Sequence, residues 1–293
     1  PLTGASVLYG RTDAPRSLRT RMNVHMLENR YGDAGDNGRF SMTDVQKSLF
    51  ENRGLAAELL LPGLKTACEQ SPDDLARACE VLAAYDGSLN LDSPGAVLFR
   101  EWLTRYEYAE TLGDGSLFGK AFAASDPVDT PRTLGDRARA MEELARAVEV
   151  LDEADLPLDA TLRDTQFAWR AGEAIPIHGG IRREGVANMQ MVGNPSDSPI
   201  SGIQATTIGD SRFLTDAGYP VIHGSSFILT LAFDDKGPVA EALLSYSQSG
   251  NPHSPHFADQ TLLYSDKQWR PVAFHEADVA AATTSIRRLQ SGN

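Results

Sequence analysis

The sequence is short of cysteine, of basic residues and of long apolar runs, and each shortage argues against a class of protein. Lysine and arginine number 27 against 40 aspartates and glutamates, which gives a formal net charge of −13. Nucleic acids and anionic membrane surfaces need a basic face, so neither is an expected partner. The apolar run at residues 56–61 falls far below the roughly 20 residues that cross a bilayer, so no membrane-spanning segment is expected.

Familiar catalytic and cofactor-binding motifs are also missing from the sequence. The chain has no Gly-x-Ser-x-Gly elbow of a serine hydrolase. It also has no Gly-x-x-x-x-Gly-Lys phosphate loop and no Gly-x-Gly-x-x-Gly dinucleotide fingerprint, so we predict no cofactor. Because the chain opens on Pro1 without an initiator methionine or a visible signal peptide, we expect this N-terminus to be a cut.

Two cysteines are present, Cys68 and Cys79, and both fall in a part of the chain with helical spacing. The residues between them predict a turn between two helices, with Ser71 as N-cap and Pro72 at the first helical position. An antiparallel helix pair can bring two β-carbons within bridging distance. Two buried free thiols are the alternative, and the residues alone leave both open.

Apolar residues recur at helical spacing through the first half of the chain. The predicted helices cover residues 16–29, 43–53, a following segment to about 70, 72–85, 92–106 and 131–155. The last of these has the cleanest pattern, with apolar residues on one side and charges on the other. This half is therefore predicted to be mainly helical.

From Leu162 the pattern changes to short runs typical of strands, separated by Gly, Asn and Asp. The predicted strands cover residues 167–169, 174–177, 186–191, 221–233 and 239–246. Residues 233–238 predict a hairpin turn, and the apolar runs on either side predict strands covered on both faces. We therefore predict an α+β fold, with a mainly helical segment at residues 1–160 and a β-rich segment at 161–293.

Two segments partly match metal sites. Residues 33–44 resemble a calcium-binding EF-hand loop, but position three is Gly35, which has no side-chain oxygen, and position twelve is the short Asp44. His253 and His256 are separated by Ser-Pro, which prevents a clean helical face, and no third ligand stands nearby in the sequence. We interpret the first as an interhelical loop, and predict no metal at either segment.

Four segments together form the most distinctive pattern in the chain, namely residues 16–29, 86–100, 175–180 and 225–274. The last is the most specific, because a strand-like run leads into Asn251-Pro-His-Ser-Pro-His256 and then Lys267-Gln-Trp-Arg-Pro271. The chain resembles the C-terminal part of the β-subunit in penicillin acylase-type N-terminal-nucleophile hydrolases. It is most similar to the branch that deacylates acyl-homoserine lactones and cyclic lipopeptides such as aculeacin A.

The resemblance implies an αββα sandwich, to which this chain contributes peripheral helices and then returning strands. It implies an amide hydrolase that acts on an N-acyl-homoserine lactone, a cyclic lipopeptide or a penicillin-like substrate. The nucleophile would be an N-terminal Ser outside this chain, with its own amine as base. The implied partners are the α-subunit and the N-terminal part of the β-subunit of the same precursor, and the small acyl amide is the substrate.

The resemblance also assigns roles to residues of this chain. Arg19 is the implied catalytic-site residue, with Arg21 as second choice. Such an arginine would hold the oxyanion-stabilising Asn and lower the pKa of the terminal amine through its charge. Without the resemblance, the arginine pair is an exposed helix face. His178 resembles a strand end rather than a base.

Export is a further implication of the resemblance. It favours a disulfide between Cys68 and Cys79 and a periplasmic or secreted location. The alternative function is a non-catalytic binding or scaffold protein, which suits an acidic chain without a complete catalytic site or a cofactor motif. A self-cleavage junction encoded upstream of Pro1 would favour the hydrolase.

Overall fold

The computed structural model describes Ser6, Leu8 and residues 14–28, 40–70, 73–196 and 198–289. Long helices dominate the first part of the chain, and the larger sheets follow them, so the predicted α+β class is confirmed. The division of the chain at residue 160 stays a prediction. Residues 33–39 of the EF-hand-like loop lie outside the described residues.

Nine α-helices occur in the described residues. They are α1 (Leu18–Glu28), α2 (Met42–Phe50), α3 (Leu55–Cys68), α4 (Ala76–Ala84), α5 (Ala96–Thr104), α6 (Arg137–Glu153), α7 (Leu162–Thr165), α8 (Asp259–Ser265) and α9 (Glu276–Ala282). None of these helices combines the length and the apolar character that a bilayer crossing needs.

Side-chain caps define where two of these helices begin. Ser41 caps α2, since its Oγ accepts from the Asp44 N–H while the Asp44 carboxylate accepts from the Ser41 N–H at 2.8 Å. Asp44, the last position of the EF-hand-like loop, is thus part of a capping box. The start predicted for α6 near Pro131 is wrong, because Arg132–Leu134 forms a strand and Asp136 caps the helix by accepting from the Arg139 N–H.

Helix α5 lies at the centre of the helical part. All nine of its residues are buried, and the indole Nε1 of Trp102 donates to the Ala140 carbonyl of α6 at 2.9 Å. Most of the buried apolar residues form one continuous cluster that runs from Leu18 of α1 to Tyr264 of α8. The helices and the later strands therefore share a single core.

The disulfide joins Cys68 at the end of α3 to Cys79 in α4, with 5.7 Å between the two Cα atoms. Lys65 adds a second link by donating to the Ala83 carbonyl at 2.9 Å. The bond that the resemblance favoured is present in the structure, and it clamps α3 against α4.

The strands form three sheets in the described residues. The strands are β1 (Phe118–Lys120), β2 (Arg132–Leu134), β3 (Gln166–Arg170), β4 (Glu173–Pro176), β5 (Gln190–Val192), β6 (Tyr219–Gly224), β7 (Phe227–Asp234), β8 (Gly237–Leu244) and β9 (Arg270–Pro271). Their orders are β1-β2, β4-β3-β6-β5 and β7-β8-β9. Only the β3–β6 pair is parallel among these described strands.

The single strand predicted at residues 221–233 is wrong, because the chain changes sheets at Ser225 and Ser226. The Ser225 N–H donates to the Met189 carbonyl beside β5, whereas the Ser226 carbonyl accepts from the Ser245 N–H that follows β8. Adjacent residues thus bond to different sheets. β6 ends on one side of this point and β7 begins on the other.

The predicted hairpin is confirmed, since β7 and β8 pair without interruption from Phe227–Leu244 to Asp234–Gly237. Its inner face is covered by α2, where Gln46 donates to the hydroxyl of Thr230 at 3.0 Å and to the carboxylate of Glu241 at 2.5 Å. The two polar side chains in the middle of the hairpin, Thr230 and Glu241, therefore lie on its covered face.

The outer face of the hairpin is apolar and open. On β7 this face carries four side chains that are at least 47% exposed, Phe227, Leu229, Leu231 and Phe233. Their cross-strand partners on β8 are also apolar, namely Leu244, Ala242, Ala240 and Pro238. The prediction that both faces would be covered is wrong for the described residues, because these four side chains remain exposed among them.

Replacing Cys68 and Cys79 together by serine should lower the free energy of unfolding by about 2–3 kcal/mol. The bond spans a sequence separation of 11 residues, and closing such a loop restricts the unfolded chain. Urea unfolding of both proteins measures the difference, and peptide mapping without reductant should recover one cross-linked species. Equal unfolding midpoints, or two alkylatable thiols in the wild-type protein, would contradict this expectation.

Candidate functional site

Arg19 and Arg21 lie two residues apart on α1, so their side chains leave the helix on opposite sides. The helix packs on α3 and buries Leu18 and Met22. Arg19 is half-buried, and its Nε and Nη2 donate to the Ala187 carbonyl at 3.0 and 2.9 Å. Arg19 therefore ties α1 to the segment that precedes β5.

Arg21 lies in a different environment. Its side chain is 1% exposed, and its Nε donates to the Val128 carbonyl at 2.6 Å. Burial lowers the pKa of the Arg21 guanidinium to about 10, although the charges of Asp129 and Asp126 act in the opposite direction. The group is therefore still a cation at neutral pH.

The two terminal nitrogens of Arg21 have no hydrogen-bond partner among the described residues. A buried charged donor without an acceptor is costly, so such a group marks a place where an acceptor belongs. The hydrogen bond from Arg21 Nε to Val128 thus holds the two terminal nitrogens, Nη1 and Nη2, in a fixed position. Arg19, by contrast, already uses Nε and Nη2 on a backbone carbonyl.

A second polar cluster lies in the core around His178, which follows β4 and is fully buried. Its Nε2 lies 2.8 Å from the Tyr264 carbonyl, which can only accept, so this nitrogen carries the proton. Its Nδ1 then accepts from the amide groups of Asn52 and Asn188 at 3.1 and 3.0 Å. Burial lowers the pKa of His178 to about 3. The ring is neutral, and both nitrogens are occupied.

Two further side chains complete this cluster. The Tyr264 hydroxyl donates to Asn188 Oδ1 at 2.6 Å, and the Gln190 amide donates to the Tyr264 hydroxyl at 2.6 Å. The ring of Phe50 meets His178 edge-on, with 5.0 Å between centroids. The cluster joins α2, β5 and α8, and its geometry agrees with a structural role for His178 rather than that of a base.

A buried ion pair connects α5 to the same region. Arg100 donates from Nε and Nη2 to the two carboxylate oxygens of Glu184 at 2.9 and 3.1 Å, and from Nη1 to Gln166 at 2.8 Å. Glu184 also accepts from the Ile181 N–H at 2.6 Å. Three contacts therefore hold residues 184–188. Arg100 binds Glu184, Arg19 binds the Ala187 carbonyl, and Asn188 belongs to the His178 cluster.

The described residues of the two metal-like segments show no metal site. His256 lies near the surface with its Nδ1 2.9 Å from Asp259, which fits a turn rather than a ligand set. Among the residues that the structure describes, no group of three or more His, Cys, Asp or Glu side chains is arranged to hold a metal ion.

The comparisons with known proteins agree with the resemblance in the sequence. The model of the penicillin amidase family matches residues 3–281. The chain belongs to the penicillin amidase family. It is 32% identical over 293 residues to aculeacin-A acylase from Actinoplanes utahensis, a match that covers 96% of this chain and 34% of that protein.

Two further similarities are to an acyl-homoserine lactone acylase and to a solved penicillin G acylase. The acyl-homoserine lactone acylase PvdQ of Pseudomonas syringae pv. syringae is 31% identical, again over 96% of this chain and 34% of that protein. A thermostable penicillin G acylase from Alcaligenes faecalis has a TM-score of 0.44 and 17% identity, over 92% of this chain and 52% of that one. The chain thus spans about a third of the length of these two curated relatives.

Sequence reasoning missed the asparagines of the His178 cluster. Asn188 lies inside the run 186–191 that predicts a strand, whereas the strand starts only at Gln190. An amide inside an apolar run is a signal for a buried hydrogen-bonded position. Asn52 also has a positive φ of 53°, a backbone conformation that asparagine tolerates better than most residues.

His178 should stay neutral down to about pH 3. Because the unfolded chain binds this proton near pH 6.5 and the folded chain does not, the contribution of His178 to the free energy of unfolding should be fully present above about pH 6.5. It should fall as the pH drops from about 6.5 towards 3. NMR titration of the imidazole signals measures the protonation of His178. A His178 signal that titrates near pH 6.5 would contradict the expectation that this ring stays neutral.

Proposed function

We propose that this chain is the C-terminal part of the β-subunit of an acyl-amide hydrolase. The observation that carries the proposal is the match of 96% of the chain to aculeacin-A acylase and to acyl-homoserine lactone acylase PvdQ. The proposed substrates are an N-acyl-homoserine lactone, a cyclic lipopeptide or a penicillin-like acyl amide. The acyl chain is removed by hydrolysis of the amide bond.

In the proposed mechanism an N-terminal Ser from the rest of the polypeptide attacks the amide carbonyl. The free amine of that Ser takes up the hydroxyl proton and then delivers it to the leaving amine. Water then hydrolyses the acyl ester and regenerates the Ser. Preorganised N–H donors stabilise the negative charge that develops on the carbonyl oxygen.

The contacts of the two arginines favour a different role for each of them in this site. The resemblance points to Arg19 as the residue that supports the catalytic Asn, with Arg21 as second choice. Arg21 is buried, charged and has two unpaired terminal nitrogens, which suits a residue that orients an acceptor. Arg19, bonded to Ala187, suits a residue that holds α1 in place. The geometry therefore supports Arg21 for this role more than Arg19.

The open face of the β7–β8 hairpin supports the proposed partners. A solvent-facing side of an antiparallel strand pair usually carries polar side chains, whereas here Thr230 and Glu241 lie on the covered side. An apolar face of this kind marks an interaction surface. We propose that the α-subunit and the N-terminal part of the β-subunit cover it, as a further layer of the αββα sandwich.

Location outside the cytoplasm belongs to the same proposal. The Cys68–Cys79 disulfide supports it, since such bonds persist in the periplasm and outside the cell but are rare in the cytosol. The acidic surface, with a net charge of −13, is compatible with either location.

The complete processed enzyme should release free homoserine lactone from a long-chain N-acyl-homoserine lactone, whereas the 293-residue chain alone should not. The nucleophile is proposed to come from the remaining polypeptide. Measuring release of primary amine tests both statements. Activity of the isolated chain would refute the division of labour, and inactivity of the complete enzyme on every acyl amide tried would favour a binding or scaffold protein.

A charge on the open hairpin face should prevent assembly. Leu231→Glu places a carboxylate on the proposed interface, whereas Leu262→Glu changes a side chain of equal exposure (52% against 50%) on α8. Co-purification of the other parts of the precursor should be lost only with Leu231→Glu, because an unpaired charge buried in an apolar interface is strongly unfavourable. Equal recovery of both variants would show that this face is not the contact.

Arg21→Met in the complete enzyme should lower kcat by about 100-fold or more. Its melting temperature should fall no further than that of Arg19→Met, since each variant loses its hydrogen bonding to one backbone carbonyl. Methionine keeps the apolar stem but removes the donors. Arg19→Met is the matched control on the same helix. It should lower the melting temperature through the lost Ala187 bonds, with a much smaller effect on kcat. The reverse result would assign the role to Arg19, and unchanged kcat in both would remove the pair from the site.

A further inference from the structure

A loop at residues 121–131 connects β1 to β2 and reaches the buried guanidinium of Arg21. The two strands pair antiparallel up to Lys120 and Arg132, so this pairing fixes the two ends of the loop. Within the loop, the Val128 carbonyl accepts the hydrogen bond from Arg21 Nε at 2.6 Å. Because the terminal nitrogens of Arg21 have no partner among the described residues, Val128 is the acceptor that fixes this side chain.

A second contact joins the loop to the same side of α1. His25 lies one helical turn after Arg21, and its Nε2 lies 3.7 Å from the Asp129 carboxylate. Burial lowers the pKa of the Arg21 guanidinium, and the charges of Asp129 and Asp126 partly offset that effect. The loop thus gives Arg21 both a hydrogen-bond acceptor and two nearby negative charges.

Thr130 closes this loop from within. Its side chain is fully buried. Its hydroxyl accepts from the Ala123 N–H at 2.9 Å and donates to the Asp126 carbonyl at 2.5 Å. The Asp129 N–H also donates to the Asp126 carboxylate, at 3.4 Å. These bonds tie the chain on both sides of Val128.

The position of the Val128 carbonyl depends on this closure. Val128 lies midway between Asp126 and Thr130, so opening the turn between those two residues would move its carbonyl. Arg21 Nε would then lose its acceptor, and its terminal nitrogens would no longer be held in place. A displacement of about 1 Å caused by a residue far from the reacting atoms can cost about 100-fold in rate.

We propose that Thr130 is a positioning residue for the hydrolysis, and that its hydroxyl acts by holding the Val128 carbonyl against Arg21. This inference rests on the proposed function, because it requires Arg21 to orient an acceptor in the catalytic site. The feature that the loop needs is one group that both donates and accepts. Serine keeps that group, whereas valine keeps the branched shape of threonine without the oxygen.

Thr130→Val and Thr130→Ser in the complete processed enzyme test the proposal, with release of primary amine from a long-chain N-acyl-homoserine lactone as the assay. Thr130→Val should lower kcat about tenfold, because the loop loses its closure. Thr130→Ser should keep most of the wild-type kcat. Wild-type kcat in Thr130→Val, or an equal loss in Thr130→Ser, would overturn the proposal.

Thr165→Val is the matched control. Thr165 is also fully buried, and its hydroxyl also donates to a backbone carbonyl, that of Thr161, at 2.8 Å. Its removal should leave kcat unchanged, because Thr165 lies on α7 and not in the loop that holds Arg21. A loss of kcat equal to that of Thr130→Val would show a general effect of losing a buried hydroxyl and would contradict the assignment.

A double-mutant cycle with Arg21→Met separates positioning from a purely structural role. If the Thr130 hydroxyl acts through Arg21, Thr130→Val should lower kcat no further in the Arg21→Met enzyme, because the group that it positions is gone. The same further loss in the Arg21→Met enzyme as in the wild type would show an independent effect and overturn the proposal.

Hydrogen–deuterium exchange provides a readout that does not depend on activity. In the complete enzyme the amides of residues 121–131 should exchange faster in Thr130→Val than in the wild type, and Thr165→Val should not change them. Unchanged exchange in Thr130→Val would overturn the proposed effect on the loop.

The same variants distinguish failure of this inference from failure of the proposed function. If Arg21→Met leaves kcat unchanged, the role of Arg21 is wrong and the role of Thr130 is wrong with it. If Arg21→Met lowers kcat and Thr130→Val does not, only the role of Thr130 is wrong.

Discussion

The buried ion pair between Arg100 and Glu184 is the interaction on which the rest of this structure depends. Both side chains are removed from water, so each charge is stable only because the other is present, and losing one partner of such a pair costs about 3–5 kcal/mol. The fork of Arg100 satisfies both carboxylate oxygens and Gln166, which leaves none of its nitrogens unpaired. The pair holds the central helix α5 against residues 184–188, and that segment in turn holds Arg19 and the His178 cluster.

Two groups of described side chains lack the contacts that usually stabilise such groups. The outer face of the β7–β8 hairpin is apolar and exposed, and the terminal nitrogens of Arg21 are buried without acceptors. Both features fit a chain that packs against further protein, and both are costly for a chain that does not. The relatives of this chain in the penicillin amidase family are about three times as long, since the match covers 34% of each.

Much of the fold could be predicted from periodicity, and the errors share one cause. The α+β class, most of the longer helices and the β7–β8 turn follow from local patterns that neighbouring residues carry, whereas the short strands β1 and β2 and the helices after residue 160 were not predicted. The break at Ser225 and the start of α6 do not, because residues far away in the sequence decide them: Met189 and Ser245 accept or donate at the break, and β1 pairs with β2 before α6 begins. Asn52 and Asn188 were missed for the same reason, since an asparagine becomes a buried hydrogen-bonded residue only when its partners surround it.

The sequence by itself determined the family, the acidic charge and most of the longer helices, because motifs, charge and spacing are properties of the chain that need no partner in space. Only the tertiary structure decided which of the two arginines on α1 is buried with unpaired donors and which is bonded to a backbone carbonyl. Two residues of spacing place them on opposite sides of a helix, and the sequence does not say which side meets Val128 and which meets Ala187. Burial and hydrogen bonding depend on what lies across the helix, and that is set by packing between distant segments.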